Sequence, residues 1–167
     1  TIDAAQMSGL TTVNQNNSAA TGDTLITNLT GVVNASMKNG SGDLSIGYTN
    51  AALAGTSDAM TLTLSGQTGG TFSANSAGTN GIETLNIVSS GSKNTVALGD
   101  EATATITKVT VSGDQATILT EAAADPADAV TTIDASAATG AVSYTTGTAA
   151  RDLTITGGSG DDTFTVG

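Results

Sequence analysis

Leu, Ile and Val alternate with Thr or Ser in short runs along most of this chain. The runs are TLITNL from Thr24, DLSIGY from Asp43, MTLTLS from Met60, ETLNIV from Glu83 and NTVAL from Asn94. They continue as ATITKVTVS from Ala104, ATIL from Ala116, VTTID from Val130, AVSYTT from Ala141, DLTIT from Asp152 and DTFTV from Asp162. Each has the period-2 alternation of a strand with one buried face. From Glu83 onward their starts fall 10 to 14 residues apart, with Gly, Asn, Ser and Asp between them. The pattern predicts an all-β chain of many short strands, arranged as a sandwich or a solenoid. It does not order the strands. Parallel solenoid and antiparallel sandwich both stay open for the first part, and β-solenoid or β-roll character is expected over residues 130–167.

Helical periodicity is nearly absent. EAAADPADA, residues 121–129, is the one candidate, and Pro126 limits it to a loop with a turn or two of helix. Residues 1–20, with NQNNSAA at 14–20, read as irregular.

Composition sharpens the core. Thr contributes 32 of 167 residues, Ala 26 and Gly 21, against two Tyr, two Phe and no Trp. So few large side chains cannot fill a wide interior at normal packing density, and narrow rungs of β-branched residues suit the inventory better. With 15 acids against 4 bases the formal charge is −11. That field repels nucleic acid and anionic membranes, and neither is an expected partner. Twelve of the acids are Asp, which favours turns and, with carbonyl oxygens, suits a hard cation such as Ca²⁺. The chain has no Cys and no His, so thiolate chemistry and the commonest general base are missing. Asp161-Asp162 could be offered as the paired carboxylates of a glycosidase, a calcium loop explains them better, and no nucleophile with its base is legible, so catalysis is not expected.

Gly-Asp stands at or just before several of the runs, at Gly22-Asp23, Gly42-Asp43, Gly99-Asp100, Gly113-Asp114 and Gly160-Asp161. A longer repeat sets TIDAAQMSGL (1–10) against TIDASAATGA (132–141), with five identities in ten and six if one Ala pair is realigned. Its offset of 131 residues is domain-sized and divides the chain into a Thr-rich β module, 1–129, and a β-roll-like segment, 130–167, that starts a copy. The chain opens on Thr1 and stops inside a repeat pattern, and reads as a piece of something longer.

GGSGDDTFT, residues 157–165, matches the β-roll nonapeptide GGxGxDxUx at all five defined places, Gly157, Gly158, Gly160, Asp162 and Phe164. Glycines allow the tight turn, Asp162 adds a charged oxygen, and Phe164 starts a strand and packs inward. The candidate Ca²⁺ ligands are the turn residues Gly157, Gly158, Ser159, Gly160, Asp161 and Asp162. Ca²⁺ takes six to eight oxygens, so a neighbouring turn must help. GTAARDLTI (147–155) places Asp152 five residues after Gly147, as Asp162 follows Gly157, which makes Asp152 the expected helper. NGSGDLSIG (39–47) is a degenerate copy with Leu44 at the key place.

The phrases GIETLNIVSSGSKNTV (81–96), KVTVSGDQATILT (108–120), TIDASAATGAVSY (132–144) and GGSGDDTFTVG (157–167) resemble the repeat-in-toxin surface proteins of Gram-negative bacteria, above all their S-layer proteins. The resemblance implies type I secretion, calcium-dependent folding and self-assembly at the bacterial cell surface. The implied partners are further copies of the chain, through calcium-bridged and edge-strand contacts in a lattice or fibre, with cell-surface polysaccharide as a second candidate. A single intact nonapeptide departs from the long arrays of toxins and adhesins. The alternative reading is a β-rich module of a large adhesin or matrix fibre. Tyr48, Phe72 and Tyr144 are too scattered to form a sugar-binding platform, and the Thr-x-Thr pairs (61/63, 105/107, 154/156, 163/165) are explained by strand propensity before ice binding.

Overall fold

The structure, a computed structural model, describes residues 1–99, 105–121, 129–147 and 151–167. Its strands are β1 (Ile2–Asp3), β2 (Thr12–Asn16), β3 (Thr24–Leu29), β4 (Asn34–Lys38), β5 (Leu44–Tyr48), β6 (Ala59–Ser65), β7 (Thr68–Ser76) and β8 (Thr84–Ser90). They continue as β9 (Asn94–Leu98), β10 (Lys108–Gly113), β11 (Thr117–Glu121), β12 (Thr132–Ala138), β13 (Val142–Thr145), β14 (Thr154–Thr156) and β15 (Thr163–Thr165). The odd strands form one eight-stranded sheet and the even strands a seven-stranded sheet, each in chain order. The pairings within both sheets are parallel. The chain therefore winds as a two-sheet parallel β-solenoid, one odd and one even strand to a rung. The solenoid form spans the described chain, including the first part, where an antiparallel sandwich was the open alternative. At about 4.8 Å per strand the longer sheet extends roughly 34 Å.

Parallel pairing turns alternation into columns. Met60, Leu85, Val109, Ile133 and Ile155 stack in register along the even sheet. Val96, Leu119, Tyr144 and Phe164 do so along the odd sheet. Most of these side chains are buried to within a few per cent, and Ile155 and Phe164 are half-buried against the same core. The interior is as narrow as the scarcity of aromatics requires. Polar partners of the alternation face out, as in the row Thr61, Asn86, Thr110, Asp134 and Thr156.

The eleven expected strands all form, with shifted ends. The run from Ala104 becomes strand only at Lys108, because Thr105 to Thr107 follow the corner, where the Thr105 hydroxyl donates to the Ile82 carbonyl (3.0 Å) and the Thr107 N–H to the Glu83 carbonyl (3.0 Å). Four strands are additional. β1 is only Ile-Asp, β2, β4 and β7 are rich in Asn, Gln, Ser, Gly and Ala, and β1 and β2 both lie in the stretch expected to be irregular. A neighbouring rung presents a complete row of backbone donors and acceptors, so a segment beside it pairs even with weak strand propensity. A 3-10 turn at Asn50–Leu53 buries Leu53. Residues 122–128, most of the helical candidate, lie outside the described residues.

The two matching decapeptides occupy different sheets, β1 in the odd and β12 in the even one. What they share is local. Asp3 Oδ1 accepts the Ala5 N–H (3.0 Å), and Asp134 Oδ1 accepts the Ser136 N–H (3.1 Å) and hydroxyl (2.7 Å). These bonds hold both carboxyls below the usual range, assisted by Asn28 at Asp3 and by Lys108 at Asp134. Strand pairing runs on across position 129, from β10 to β12 and from β11 to β13.

Where even strands hand over to odd ones, the interior is polar and closed. Asn94, fully buried, donates to the Ser89 hydroxyl (2.8 Å) and the Ser90 carbonyl (3.1 Å) and accepts the Gln67 N–H (2.9 Å). Ser89 and Thr117 both donate to the Gln115 carbonyl, at 3.0 and 3.1 Å. Each amide function of Asn94 is used. Asn94→Ala orphans buried groups on two rungs and should cost about 1–3 kcal/mol in urea unfolding, whereas exposed Lys93→Ala should stay within about 0.5 kcal/mol.

At the other corner Tyr48 is buried with its hydroxyl on the Val33 carbonyl (3.3 Å). Burial pushes its pKa up to about 12, offset in part by that hydrogen bond. The unfolded phenol ionises near 10. Between these values the folded state holds a proton that the unfolded state releases, so stability present below pH 10 is lost as pH rises towards 12. Tyr48→Phe should flatten this alkaline loss in thermal melts taken between pH 9 and 12.

Candidate functional site

The nonapeptide is one corner of the solenoid. Gly157 follows β14 directly and Asp162 leads directly into β15, so the turn carries the chain from the even sheet to the odd one. Asp162 Oδ2 accepts the Gly158 N–H (2.6 Å) across the turn, and Oδ1 accepts the Val142 N–H (2.8 Å) on the rung before. Ser159 N–H donates to the Ala138 carbonyl (3.0 Å). One side chain thus closes the turn and ties it to its neighbour.

Close approach, rather than backbone conformation, accounts for the glycines. A Cβ on Gly158 would lie 2.7 Å from the Ala135 carbonyl oxygen and run into that of Ala138, and one on Gly160 would lie 2.6 Å from the Ala141 nitrogen. On Gly157 it would come within 2.8 Å of Asp162 Oδ2. Ser159 and Asp161 face solvent, and Phe164 continues inward onto Tyr144.

Asp152 stands elsewhere. It precedes β14 by two residues and is exposed at the corner where the odd sheet feeds the even one, so the two ends of β14 separate it from Asp162. A five-residue offset after Gly147 carried no information on which corner a turn occupies. On the Asp162 side the preceding rung supplies Thr139, Gly140 and Ala141, with no carboxylate among them. Among the described residues no three His, Cys, Asp or Glu side chains converge as a metal-binding group. The donors that this corner can offer a hard cation are the carboxylates of Asp161 and Asp162, the Ser159 hydroxyl and turn carbonyls, with Asp162 already engaged by two N–H groups.

The degenerate copy uses the same device. Asp43 directly precedes β5, its Oδ1 accepts the Thr71 N–H of the next rung (2.8 Å), and its own N–H points to Asp23 Oδ1 (3.4 Å). Gly42 meets Ala19 and Gly22 carbonyls at 2.6 Å from where a Cβ would be, and Gly70, at φ 85°, packs on Ser41 and Gly42. Gln15, buried under this corner, donates to the Asp43 carbonyl (2.7 Å) and Thr24 hydroxyl (3.1 Å). The signal that identifies Asp43 is its place immediately before a strand, not its distance from a glycine. Asp100 and Asp128 lie outside the described residues, and Asp114 follows β10 without leading into a strand.

Rung length separates this fold from a uniform nonapeptide roll. Two nine-residue units would close a turn in roughly 18 residues. Here in-register partners are 20 apart at Ile26/Ile46 and at Tyr144/Phe164, 24 at Leu85/Val109 and 28 at Leu44/Phe72. The nonapeptide falls in one of the shortest turns, where a corner has least slack and small residues matter most.

Sequence missed a second polar centre. Glu121, at the end of β11 and 7% exposed, accepts the Tyr144 hydroxyl (2.8 Å), the Gly147 N–H (2.8 Å) and the guanidinium of Arg151, whose side chain is 9% exposed. Nothing local marks a lone Glu after TILT as buried. By contrast, the Lys108–Asp134 pair is 4.0 Å long and exposed.

The fold and corners define the chain as a two-sheet parallel β-solenoid with Gly/Asp-stacked turns. No family model, curated protein or solved structure matches it. Among the described residues no helix is long and apolar enough to cross a membrane.

Gly158→Ala should lower the melting temperature and loosen residues 154–165, because the Cβ must displace the Ala135 and Ala138 carbonyls. Ser159→Ala should change neither, with both variants melted in chelator so that no cation contributes.

Proposed function

We propose that this chain is a structural, non-enzymatic segment of a secreted bacterial cell-surface protein that assembles in a calcium-dependent way, as S-layer proteins do. The observation that carries the reading is the nonapeptide turn, residues 157–165, with Asp162 directly ahead of its strand. Its glycines and carboxylates match a motif in which carboxylate and carbonyl oxygens serve a hard cation at a tight corner. Repulsion within a chain of formal charge −11 would favour order outside the cell, where calcium is plentiful, over order inside it.

Assembly through further copies of the chain follows from the same geometry. A solenoid carries strand edges at its ends, where parallel pairing extends without new side-chain chemistry. Solvent-facing Asp161 and Asp152 are among the carboxylates that could take part in calcium bridges between copies. Cell-surface polysaccharide is the second partner class. A module of a large adhesin or matrix fibre is the alternative, favoured by the one-directional stacking of the rungs.

Chelating calcium should reduce the β signal in circular dichroism and lower the melting temperature, with recovery at roughly 10⁻⁴–10⁻³ M Ca²⁺. An unchanged spectrum and melt would sink the calcium reading. Electron microscopy of the full-length protein should then find ordered sheets only with calcium. Isolated fibres would favour the alternative, and dispersed particles under both conditions would end the assembly proposal.

A further inference from the structure

The outer faces of the two sheets differ in charge. The odd strands from β3 to β15 contain a single charged residue, Glu121, and it is buried. The outer face of the even sheet carries Lys38, Lys108 and Asp134. In a chain of formal charge −11 the odd face is therefore a neutral field, mostly of Ser, Thr, Asn and Gly. Two aliphatic side chains stand on it. Ile118, in register between Thr95 and Ser143, is half-buried but turned away from the interior that Leu119 joins. Leu25, 38% exposed, lies beside Ser45. Neither belongs to the hydrophobic core. Two and three strands from Ile118, β7 and β5 present Ser73, Ser45 and Gly47, a patch without large side chains. A glycine within a strand leaves backbone open to close approach.

We propose that the outer face of the odd sheet is a contact between two copies of this chain, packed face to face about a two-fold axis. Ile118 of each copy sits on the Ser45–Gly47 patch of the other. A bump and a hollow on one surface are what a two-fold contact requires, since each must meet its counterpart twice. Charge selects the same face. Two copies that each carry −11 repel, and here they meet without setting like charges against one another. From β3 to β15 the face measures about 29 Å by roughly 16 Å. Its corrugated surface approaches the ~800 Å² per partner of a standard interface. A neutral glycan fits less well, because Tyr48, Phe72, Tyr144 and Phe164 all point inward and leave no ring for a sugar to stack on. This lateral contact rests on the assembly reading for its partner, a second copy, but not on calcium.

Sedimentation of the whole chain in chelator tests this. The chain should self-associate, and more strongly at about 0.5 M salt than at about 0.05 M, because screening relieves the repulsion while the contact holds no ion pair. Ile118→Lys and Ser45→Glu should each weaken association roughly tenfold or more. Circular dichroism should stay unchanged, since both sites face outward. Mixed one to one, the two variants should associate again: one of the paired contacts gains opposite charges and the other is the native one. Val88→Lys, on the outer face of the even sheet, should change nothing. If Ile118→Lys does not fold, Ser45→Glu decides. A chain that stays monomeric at roughly 100 μM, or association that both variants leave intact, overturns the proposal. Binding of a neutral glycan to this face of a monomeric chain does so too. Calcium-dependent sheets that survive both substitutions would remove the face and leave end-to-end assembly standing. A pair that forms in chelator and does not respond to calcium keeps the face and removes the calcium reading.

Discussion

Backbone hydrogen bonding between in-register parallel rungs is the constraint from which the rest of this structure follows. Rungs must approach to about 4.8 Å everywhere, at corners as well as in strands. In strands this turns alternation into columns, so that Leu85, Val109 and Ile133 bury one another. Near several corners it leaves no room for a Cβ, and Gly42, Gly70, Gly113, Gly158 and Gly160 each sit against backbone of the preceding rung. The glycines of the nonapeptide belong to this series before any ligand is considered.

Corners also expose backbone groups that neither sheet pairs. The chain satisfies them from the side. Asp162, Asp43 and Asn94 each present a side-chain oxygen to an N–H on a neighbouring rung, and Glu121 accepts from the Tyr144 hydroxyl, the Gly147 N–H and the Arg151 guanidinium at the opposite corner. Short acids and amides suit this work because they reach one rung and no further. The Asp-rich, Glu-poor composition is thus partly structural, and the Asp residues that remain in solvent carry the surface charge.

A turn closed by Asp162 is already bonded, yet it keeps two exposed neighbours in Ser159 and Asp161 and has little slack. It is one instance of a stacking device that recurs along the solenoid.

The period-2 runs and the scarcity of aromatics were enough to specify strands and a narrow all-β interior, because alternation is a property of single segments. The nonapeptide turn was equally legible, since all its defining residues are contiguous. Strand order was not, because TLITNL reads the same in a sandwich or a solenoid. β2, β4 and β7 were hidden because their pairing comes from the neighbouring rung and not from their Asn, Ser and Gly residues. Asp152 and Asp162 look alike in sequence, and only the winding of the chain sends them to opposite corners. Glu121 and Arg151, thirty residues apart, meet because the winding brings consecutive odd-to-even corners together. What a segment does alone could be read from its residues; what it does for the next rung depended on how many residues each turn consumes.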